Sequence, residues 1–239
     1  MVVRAAAVLA VLAVLGIYYG VSEHLPELPQ WGDVAFVGLA LMPLTFLLVW
    51  LALPLRETGP RELAVAAVSL VVLAVILEWA GLDIAANFVK LAAVAAAGWW
   101  FLGLFEALSW VLLVALLIIP VDSFSVARGP TKEIVENQPQ VFNALSVSFP
   151  LPGQHSSAQL GLPDILFFSL FLGAAARFGL RVGWTWLAMA LSFGTTLALA
   201  VGFDVAGLPA LPLLSAAFVL VNADLIWRAY KEGSARPSK

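Results

Sequence analysis

The sequence predicts an all-α membrane protein, a polytopic bundle of about eight transmembrane helices. Of its 239 residues, 62% are hydrophobic and only 11% are charged, whereas a soluble domain carries about a quarter charged residues. The mean hydropathy is +1.00. Apolar runs of about 20 residues, long enough to cross the hydrocarbon core as helices, recur along the chain. We therefore expect the lipid bilayer to be the solvent of most side chains.

About eight apolar runs are candidate spans, separated by short polar breaks such as residues 56–62 and 202–207. They cover residues 3–21, 34–55, 63–81, 84–104, 105–126, 163–180, 182–202 and 208–230. Arg4 stands at the start of the first run, as in a signal peptide, but no small-x-small cleavage site follows, which favours a retained span. The chain is thus predicted to be one integral membrane domain, with N-terminal helices at 1–104 and a second half at 105–239.

Lysine and arginine accumulate on the cytoplasmic side of membrane proteins. With eight spans both chain ends lie on one side, which then holds most basic residues: Arg4, Arg56, Arg61, Arg177, Arg181, Arg228, Lys231, Arg236 and Lys239. The other side holds Arg128 and Lys132, with Lys90 nearer the membrane. We therefore predict a multi-pass plasma-membrane protein with cytoplasmic termini and an outward-facing loop at 127–160.

The composition also excludes several functions. Without cysteine, the chain can form neither a disulfide nor a thiolate site. A net charge of −3 makes nucleic acid an improbable partner. The two histidines, His24 and His155, lie far apart in predicted loops, so no metal site is expected. Nothing in the sequence indicates the oligomeric state.

Two acids at span ends are candidate functional residues, because an intramembrane charge is costly. Asp122 lies near the end of the fifth span, and Asp164 opens the sixth. Adjacent spans are antiparallel, so these two ends lie at the same membrane face and the carboxyl groups can meet. Pro120 and Pro163 accompany them, and irregular backbone at membrane depth is tolerated where it lines a wet cavity. The sequence therefore predicts a polar pocket that holds two acids.

Other acids have simpler interpretations. Glu78 and Glu106 lie near span ends, where a side chain can reach the headgroups. Asp224 precedes Arg228 by one helical turn, so an ion pair between them is expected.

Two adjacent carboxyl groups share a proton, so one acts as a base and the other as an acid. Such a pair can activate water against a peptide carbonyl. The same acids could instead lie on an ion pathway or make separate structural contacts. The pattern of the two acids alone leaves these alternatives open.

Three sequence blocks occur in a suggestive order. They are "LLIIPVDSFSVARGPTKEIVE" (116–136), "GLPDILFFSLFLGAA" (161–175) and Pro209-Ala210-Leu211. Together they resemble the presenilin and signal peptide peptidase family of intramembrane aspartic proteases, the Gly-x-Gly-Asp type. Gly129-Pro130 and Val135-Glu136 match the presenilin spacing after the first aspartate. The resemblance covers roughly the C-terminal half and implies a presenilin-like bundle.

The resemblance implies that Asp122 and Asp164 are the catalytic pair. It implies that no metal or organic cofactor is needed and that Gly161 marks a sharp turn into Asp164. The residues implied to contact substrate are Gly161, Leu162, Pro163, Pro209, Ala210 and Leu211.

Two positions depart from the family pattern. Val121 replaces a tyrosine before the first aspartate, which removes a hydroxyl. Pro163 replaces the second glycine of Gly-x-Gly-Asp and biases Leu162 toward an extended conformation. This change is compatible with a preformed strand beside Asp164, to which a substrate peptide could add, or with an inactive homologue.

The expected function is therefore hydrolysis of peptide bonds in transmembrane helices or signal-peptide remnants. The partners would be transmembrane-helix substrates and the bilayer. The alternatives are an ion- or proton-coupled transporter and a catalytically inactive homologue that binds helices.

Overall fold

The computed structural model describes residues 2–128, 139–205 and 207–234. In this part of the chain, apolar helices form a bundle that also holds one small β-hairpin. Six of the helices are long and apolar enough to cross a membrane, or seven if a bent pair near the C-terminus is one span. The predicted all-α polytopic bundle is confirmed, with fewer full-length spans than the eight runs suggested.

The N-terminal half contains three further crossings after the first helix. Its elements are α1 (Val2–Val21), a 3-10 turn (Ser22–His24), α2 (Gln30–Phe36), a π-helical stretch (Val37–Leu41), α3 (Met42–Ala52), a second 3-10 turn (Leu53–Glu57), α4 (Pro60–Trp79) and α5 (Asp83–Leu102). The helical path from Gln30 to Glu57 counts as one candidate span. Its π-helical stretch precedes Pro43, which has no N–H to donate to the carbonyl of Leu39.

The C-terminal half contains the hairpin. Its elements are α6 (Leu108–Arg128), α7 (Pro139–Ala144), β1 (Ser146–Pro150), β2 (Ser157–Gly161), α8 (Leu162–Arg177), α9 (Val182–Gly202), α10 (Leu211–Val221) and α11 (Ala223–Ser234). The predicted span 163–180 is α8, whose 16 residues make it shorter than a typical crossing. The predicted span 208–230 is wrong as one helix, because α10 and α11 are bent by 64°.

The bend lies at Asn222, which is fully buried and bonds to residues that are distant in sequence. Its side-chain amide donates to the Phe218 carbonyl at 2.9 Å and to the Thr185 hydroxyl at 2.8 Å, and its oxygen accepts the Arg181 N–H at 2.9 Å. Arg181, the residue before α9, is therefore hydrogen-bonded to the C-terminal end of α10. A helix that continued straight would displace these bonds.

The predicted pair between Asp224 and Arg228 is replaced by another one. The guanidinium of Arg181 donates to both carboxylate oxygens of Asp224, at 2.6 and 2.7 Å, and to the Val221 carbonyl at 2.8 Å. These hydrogen bonds lower the pKa of the Asp224 carboxyl. Because Asp224 starts α11, the ion pair fixes where that helix leaves the bundle.

The bundle has two chemically different ends. One end, the basic face, carries Arg56, Arg177 and Arg181, and there Arg177 donates to the Leu102 carbonyl at 3.0 Å. The other end, the hairpin face, carries β1 and β2. There the Gly153 N–H donates to the Ser22 carbonyl at 2.8 Å, which ties the hairpin to the end of α1.

The helix α8 lies at the centre of the bundle. Its residues from Phe168 to Ala175 are all buried, as expected for a helix that is apolar on every side. The ring of Phe168 lies 4.2 Å from that of Phe46 on α3, and Phe171 stacks on Phe218 of α10 at 4.8 Å between centroids. Helices from both halves of the chain therefore hold α8, which begins with the candidate site.

A glycine allows α5 to approach α8 closely. A Cβ at Gly98 would lie 2.6 Å from the Leu166 carbonyl oxygen and 3.3 Å from the Leu170 nitrogen, both backbone atoms of α8. Backbone cannot move aside as a flexible side chain can. The position of α8, and with it that of Asp164, thus depends on the missing side chain at Gly98.

We predict that Gly98→Ala destabilises the protein by about 1–3 kcal/mol, the usual cost of overpacking a tight contact. The measurement is unfolding of the purified protein in detergent. Gly16→Ala is the matched control, because a Cβ at Gly16 on α1 meets no atom within 4 Å. The control should be as stable as the wild type or slightly more so. Equal stability of all three proteins would contradict the close contact.

Candidate active site

Asp164 lies in the first turn of α8, where the chain leaves β2. Gly161 is the N-cap, Pro163 lies in the first turn, and Asp164 is the third helical residue. The Asp164 carboxylate lies beside the backbone of Gly161 and within range of an electrostatic interaction with it. An acid at the third helical position faces back to the N-cap, as it does in a capping box. The carboxylate therefore lies against the end of β2.

Gly161 lies where the chain changes from β2 to α8, at the entry to Asp164 that the sequence predicted. Its φ of −61° and ψ of 145° are open to any residue, so this entry requires no glycine conformation. A Cβ there would lie 3.2 Å from an Asp164 carboxylate oxygen. Leu162 is the first residue of α8, so the extended segment expected through Leu162 ends one residue earlier, at Gly161. The predicted strand beside Asp164 is nevertheless present as β2.

Asp122 lies on α6, two residues after Pro120, which interrupts the hydrogen bonding of that helix. One oxygen of its carboxylate accepts the Leu211 backbone N–H at 3.1 Å. Leu211 is the first residue of α10, and such N–H groups have no partner within their own helix. Asp122 therefore caps the start of α10 from a different helix.

The Pro-Ala-Leu block forms the start of α10. Ala210 is the N-cap and is 6% exposed, Leu211 is 2% exposed, and Pro209 is half-buried. Pro212 occupies the first turn, where its missing N–H costs nothing. The N–H of Leu211 is thus the part of this block that contacts Asp122.

The structure brings the two acids together. The helices α6, α8 and α10 pack against one another, and the carboxyl groups of Asp122 and Asp164 are close enough to interact electrostatically. Asp122 and Asp164 are each partly exposed at the surface of the bundle. Each carboxyl faces the N-terminus of a helix, α8 for Asp164 and α10 for Asp122, where the helix dipole stabilises negative charge. This arrangement explains how two acids are tolerated beside apolar spans.

The helix lengths place the pair at a consistent depth. At 1.5 Å per residue, α6 puts Asp122 about 21 Å beyond Leu108, and α8 puts Asp164 about 20 Å before Arg177. The ten steps of α10 from Leu211 to its end span about 15 Å. In a hydrocarbon core about 30 Å thick, these lengths place the pair between the middle of the core and the hairpin face.

The hairpin presents a strand edge next to Asp164. Its strands are antiparallel, and Gly161 lies opposite Ser146, with Gln159 opposite Ser148. The Leu162 N–H donates to the Leu145 carbonyl at 2.9 Å, so alternate residues, Gly161 and Gln159, direct their backbone groups away from β1. The side chains of Val147, Phe149 and Leu160 are buried on one face of the sheet. The outer edge of β2 thus ends at the catalytic candidate.

The Val121 departure has little consequence for the pair. Its side chain is 59% exposed on the outside of α6. A residue with this orientation does not line the space between the acids. The histidines are also remote from the site: His155 contacts Glu23 at 3.2 Å on the surface of the hairpin face. Within the described ranges no group of three His, Cys, Asp or Glu residues could hold a metal ion.

No family model matches the chain, and no curated protein matches it significantly. The resemblance to presenilins and signal peptide peptidases thus stays a prediction from three short blocks. Within those blocks, Gly129-Pro130 and Val135-Glu136 lie outside the described residues. Asp122, Asp164 and the Pro-Ala-Leu block are described, and they lie together.

Several polar residues that touch the hairpin were missed from the sequence. Asn87 on α5 and Tyr18 and Tyr19 on α1 all bond to β1. Asn87 is only 5% exposed. The signal for Asn87 was an amide inside an apolar run, since a buried amide requires partners. The signal for the hairpin was the alternation of apolar and polar residues in 146–150.

We predict that Gly161→Ala impairs any activity of the acid pair with little loss of stability. The added methyl presses on the Asp164 carboxylate oxygen, while the backbone conformation suits alanine. The measurements are the turnover of a helical peptide substrate and the unfolding temperature. Turnover equal to the wild type would contradict the fixed position of the carboxylate.

A second prediction isolates the backbone donor at Leu211. Leu211→Pro removes the N–H that bonds Asp122. Proline suits the first position of a helix, but it disfavours the αR backbone of the preceding Ala210, so turnover is compared per folded molecule. Leu211→Ala removes the same buried side chain and keeps the N–H. We expect the proline variant to lose about tenfold more turnover than the alanine variant, since a hydrogen bond to a charged group contributes about 1.5–3 kcal/mol. Equal turnover of the two variants would show that the bond has no role.

Proposed function

We propose that this protein is an intramembrane aspartic endopeptidase that cleaves transmembrane helices or signal-peptide remnants. The observation that supports this most is the pair of Asp122 and Asp164, held at two helix N-termini beside a strand edge. An acid with a purely structural role is stabilised by a hydrogen-bond or ion-pair partner, and a second acid beside it would only add repulsion. Two acids that share a site, near a place where a peptide can lie, suit hydrolysis better than a lipid-facing structural contact.

In the proposed reaction one aspartate is ionised and the other is protonated. The ionised carboxylate takes a proton from water as the water oxygen attacks the peptide carbonyl carbon. The protonated carboxyl gives its proton to the carbonyl oxygen. The tetrahedral intermediate then loses the amine after a proton reaches its nitrogen. Every proton comes from water or from the pair, so the chain's own residues supply the acid and the base.

A peptide bond inside a helix is shielded, so the substrate must unwind. We propose that its extended segment pairs with the outer edge of β2, which ends at Gly161. Ala210 and Leu211 would bound the other side of that segment. Pro163 would stay outside the pairing, because it has no N–H and lies within α8.

The substrate would arrive from the lipid beside α6. This helix packs mainly on α10, and much of its surface is exposed, including Leu113, Leu116 and Leu117. A helix diffusing in the bilayer can approach such a face without crossing water. The positive charge at the basic face supports cytoplasmic termini. With the termini in the cytoplasm, cleavage would occur in the outer part of the bilayer; we propose the plasma membrane as the location.

We predict that Asp122→Asn and Asp164→Asn each reduce cleavage of a transmembrane peptide by at least about 10³-fold, as expected when an acid or base is lost. The assay uses the purified protein in detergent and identifies the products by mass spectrometry. Asp204→Asn is the control, because Asp204 is an exposed acid in a turn with a φ of 53° that asparagine also adopts.

Cleavage that survives both substitutions would reject the pair. Cleavage lost equally in the control would indicate general damage. If the wild type cuts no peptide, ion uptake by proteoliposomes would decide for the transporter alternative, and binding of the intact peptide would decide for an inactive helix-binding homologue.

A further inference from the structure

The outer edge of β1 is closed by side chains from the N-terminal half. The Ser148 N–H donates to the Asn87 side-chain oxygen at 2.8 Å, and the Asn87 side-chain nitrogen donates to the Ser148 carbonyl at 3.0 Å. The Tyr19 hydroxyl donates to the same carbonyl at 2.7 Å. The amide of Asn87 thus bonds both backbone groups of one residue, as a neighbouring strand would.

The outer edge of β2 differs. Gln159 lies opposite Ser148, so its N–H and carbonyl also point away from the other strand. Among the described residues, no backbone group forms a hydrogen bond with the N–H or the carbonyl of Gln159. Ser157, Gln159 and Gly161 are all partly accessible. The hairpin therefore has one closed edge and one open edge, and the open edge leads to Asp164.

We propose that Asn87 is a positioning residue that acts as a surrogate strand. By closing β1 it leaves β2 as the edge that accepts an extended substrate peptide, and by fixing Ser148 it fixes the register in which that peptide reaches the acids. This inference rests on the proposed protease function. It gives the N-terminal half a specific role in choosing the bond that is cut.

The chain of contacts from Asn87 to the acids is short. Ser148 is held by Asn87 and lies opposite Gln159. Two residues after Gln159, the backbone of Gly161 lies beside the Asp164 carboxylate. A shift of the hairpin along its axis would move the open edge relative to Asp164. A substrate paired with that edge would then be cut at a different bond.

Other contacts hold the hairpin, although none of them bonds both backbone groups of one strand residue. The Tyr18 hydroxyl donates to the Pro150 carbonyl at 2.7 Å, and the Gln154 amide donates to the Asp33 carboxylate at 2.8 Å. Gly153, with a φ of +71°, fits against the backbone of residues 25–27. Loss of the Asn87 side chain should therefore open the edge while the hairpin stays seated.

The first readout is the distribution of cleavage positions in a transmembrane peptide, measured by mass spectrometry. We expect Asn87→Ala to raise the share of products cut at neighbouring bonds about tenfold, as expected from the loss of one or two net hydrogen bonds. Asn87→Asp keeps the acceptor of the Ser148 N–H but places a carboxylate oxygen against the Ser148 carbonyl, so we expect a shift in the same direction as in Asn87→Ala. Tyr18→Phe is the matched control, because Pro150 has no N–H and cannot offer a complete strand-pairing site.

The second readout needs no catalysis. The chain lacks cysteine, so a cysteine placed at Gln159 or at Ser148 in an Asp122→Asn background forms no disulfide within the chain. Disulfides with a cysteine carried by the peptide are separated by mass from those between two protein copies. We expect cross-linking to the peptide at position 159 and little at position 148. Adding Asn87→Ala should raise cross-linking at position 148 about tenfold, because the Ser148 N–H loses its partner and can pair with the peptide.

The two readouts separate the two hypotheses. If the wild type cuts no peptide but cross-linking favours position 159, the protease proposal fails and the edge assignment stands. If the wild type cuts, and Asn87→Ala changes neither the cleavage positions nor the cross-links, the role of Asn87 is overturned. A change in cleavage positions in Tyr18→Phe as large as that in Asn87→Ala would also overturn it, because any loosening of the hairpin would then suffice.

Discussion

Two helix N-termini that face two carboxyl groups are the arrangement on which the site depends. The start of α10 donates the Leu211 N–H to Asp122, and the backbone at the cap of α8, Gly161, lies beside the Asp164 carboxylate. The first N–H groups of each helix have no partners within it, so the acids and the helix ends stabilise one another. The positive end of each helix dipole also offsets the cost of negative charge near lipid. Without this arrangement, two neighbouring acids would repel each other in a medium that solvates neither.

The rest of the bundle determines where these two helix ends lie. Gly98 lets α5 approach the backbone of α8, and aromatic rings from α3 and α10 pack on the same helix. At the basic face, Asn222 and Arg181 fix the other end of α10. The N-terminal half also bonds the hairpin along β1. A half whose sequence resembles only generic apolar helices therefore positions both the catalytic candidate and the strand beside it.

Local sequence patterns predicted the elements better than the contacts between them. Apolar runs located the helices, and the position of Asp122 and Asp164 at antiparallel span ends predicted that they would meet. The bend at Asn222 could not be predicted, because it depends on bonds to Thr185 and Arg181, which are distant in sequence. The pairing of Asp224 with Arg181 instead of Arg228 has the same origin. Asn87 is 61 residues from Ser148, and no local pattern predicts such a bond.

The claim that the two acids share one site can be tested without an enzymatic assay. In this cysteine-free chain, Asp122→Cys and Asp164→Cys together would introduce two thiols, which a short bifunctional thiol reagent can bridge only if they are adjacent. The pair of Asp122→Cys with Arg56→Cys, at the basic face, is the distant control. Our account predicts an intramolecular bridge in the first protein and separate modification of both thiols in the second. Separate modification in both proteins would show that the acids do not meet.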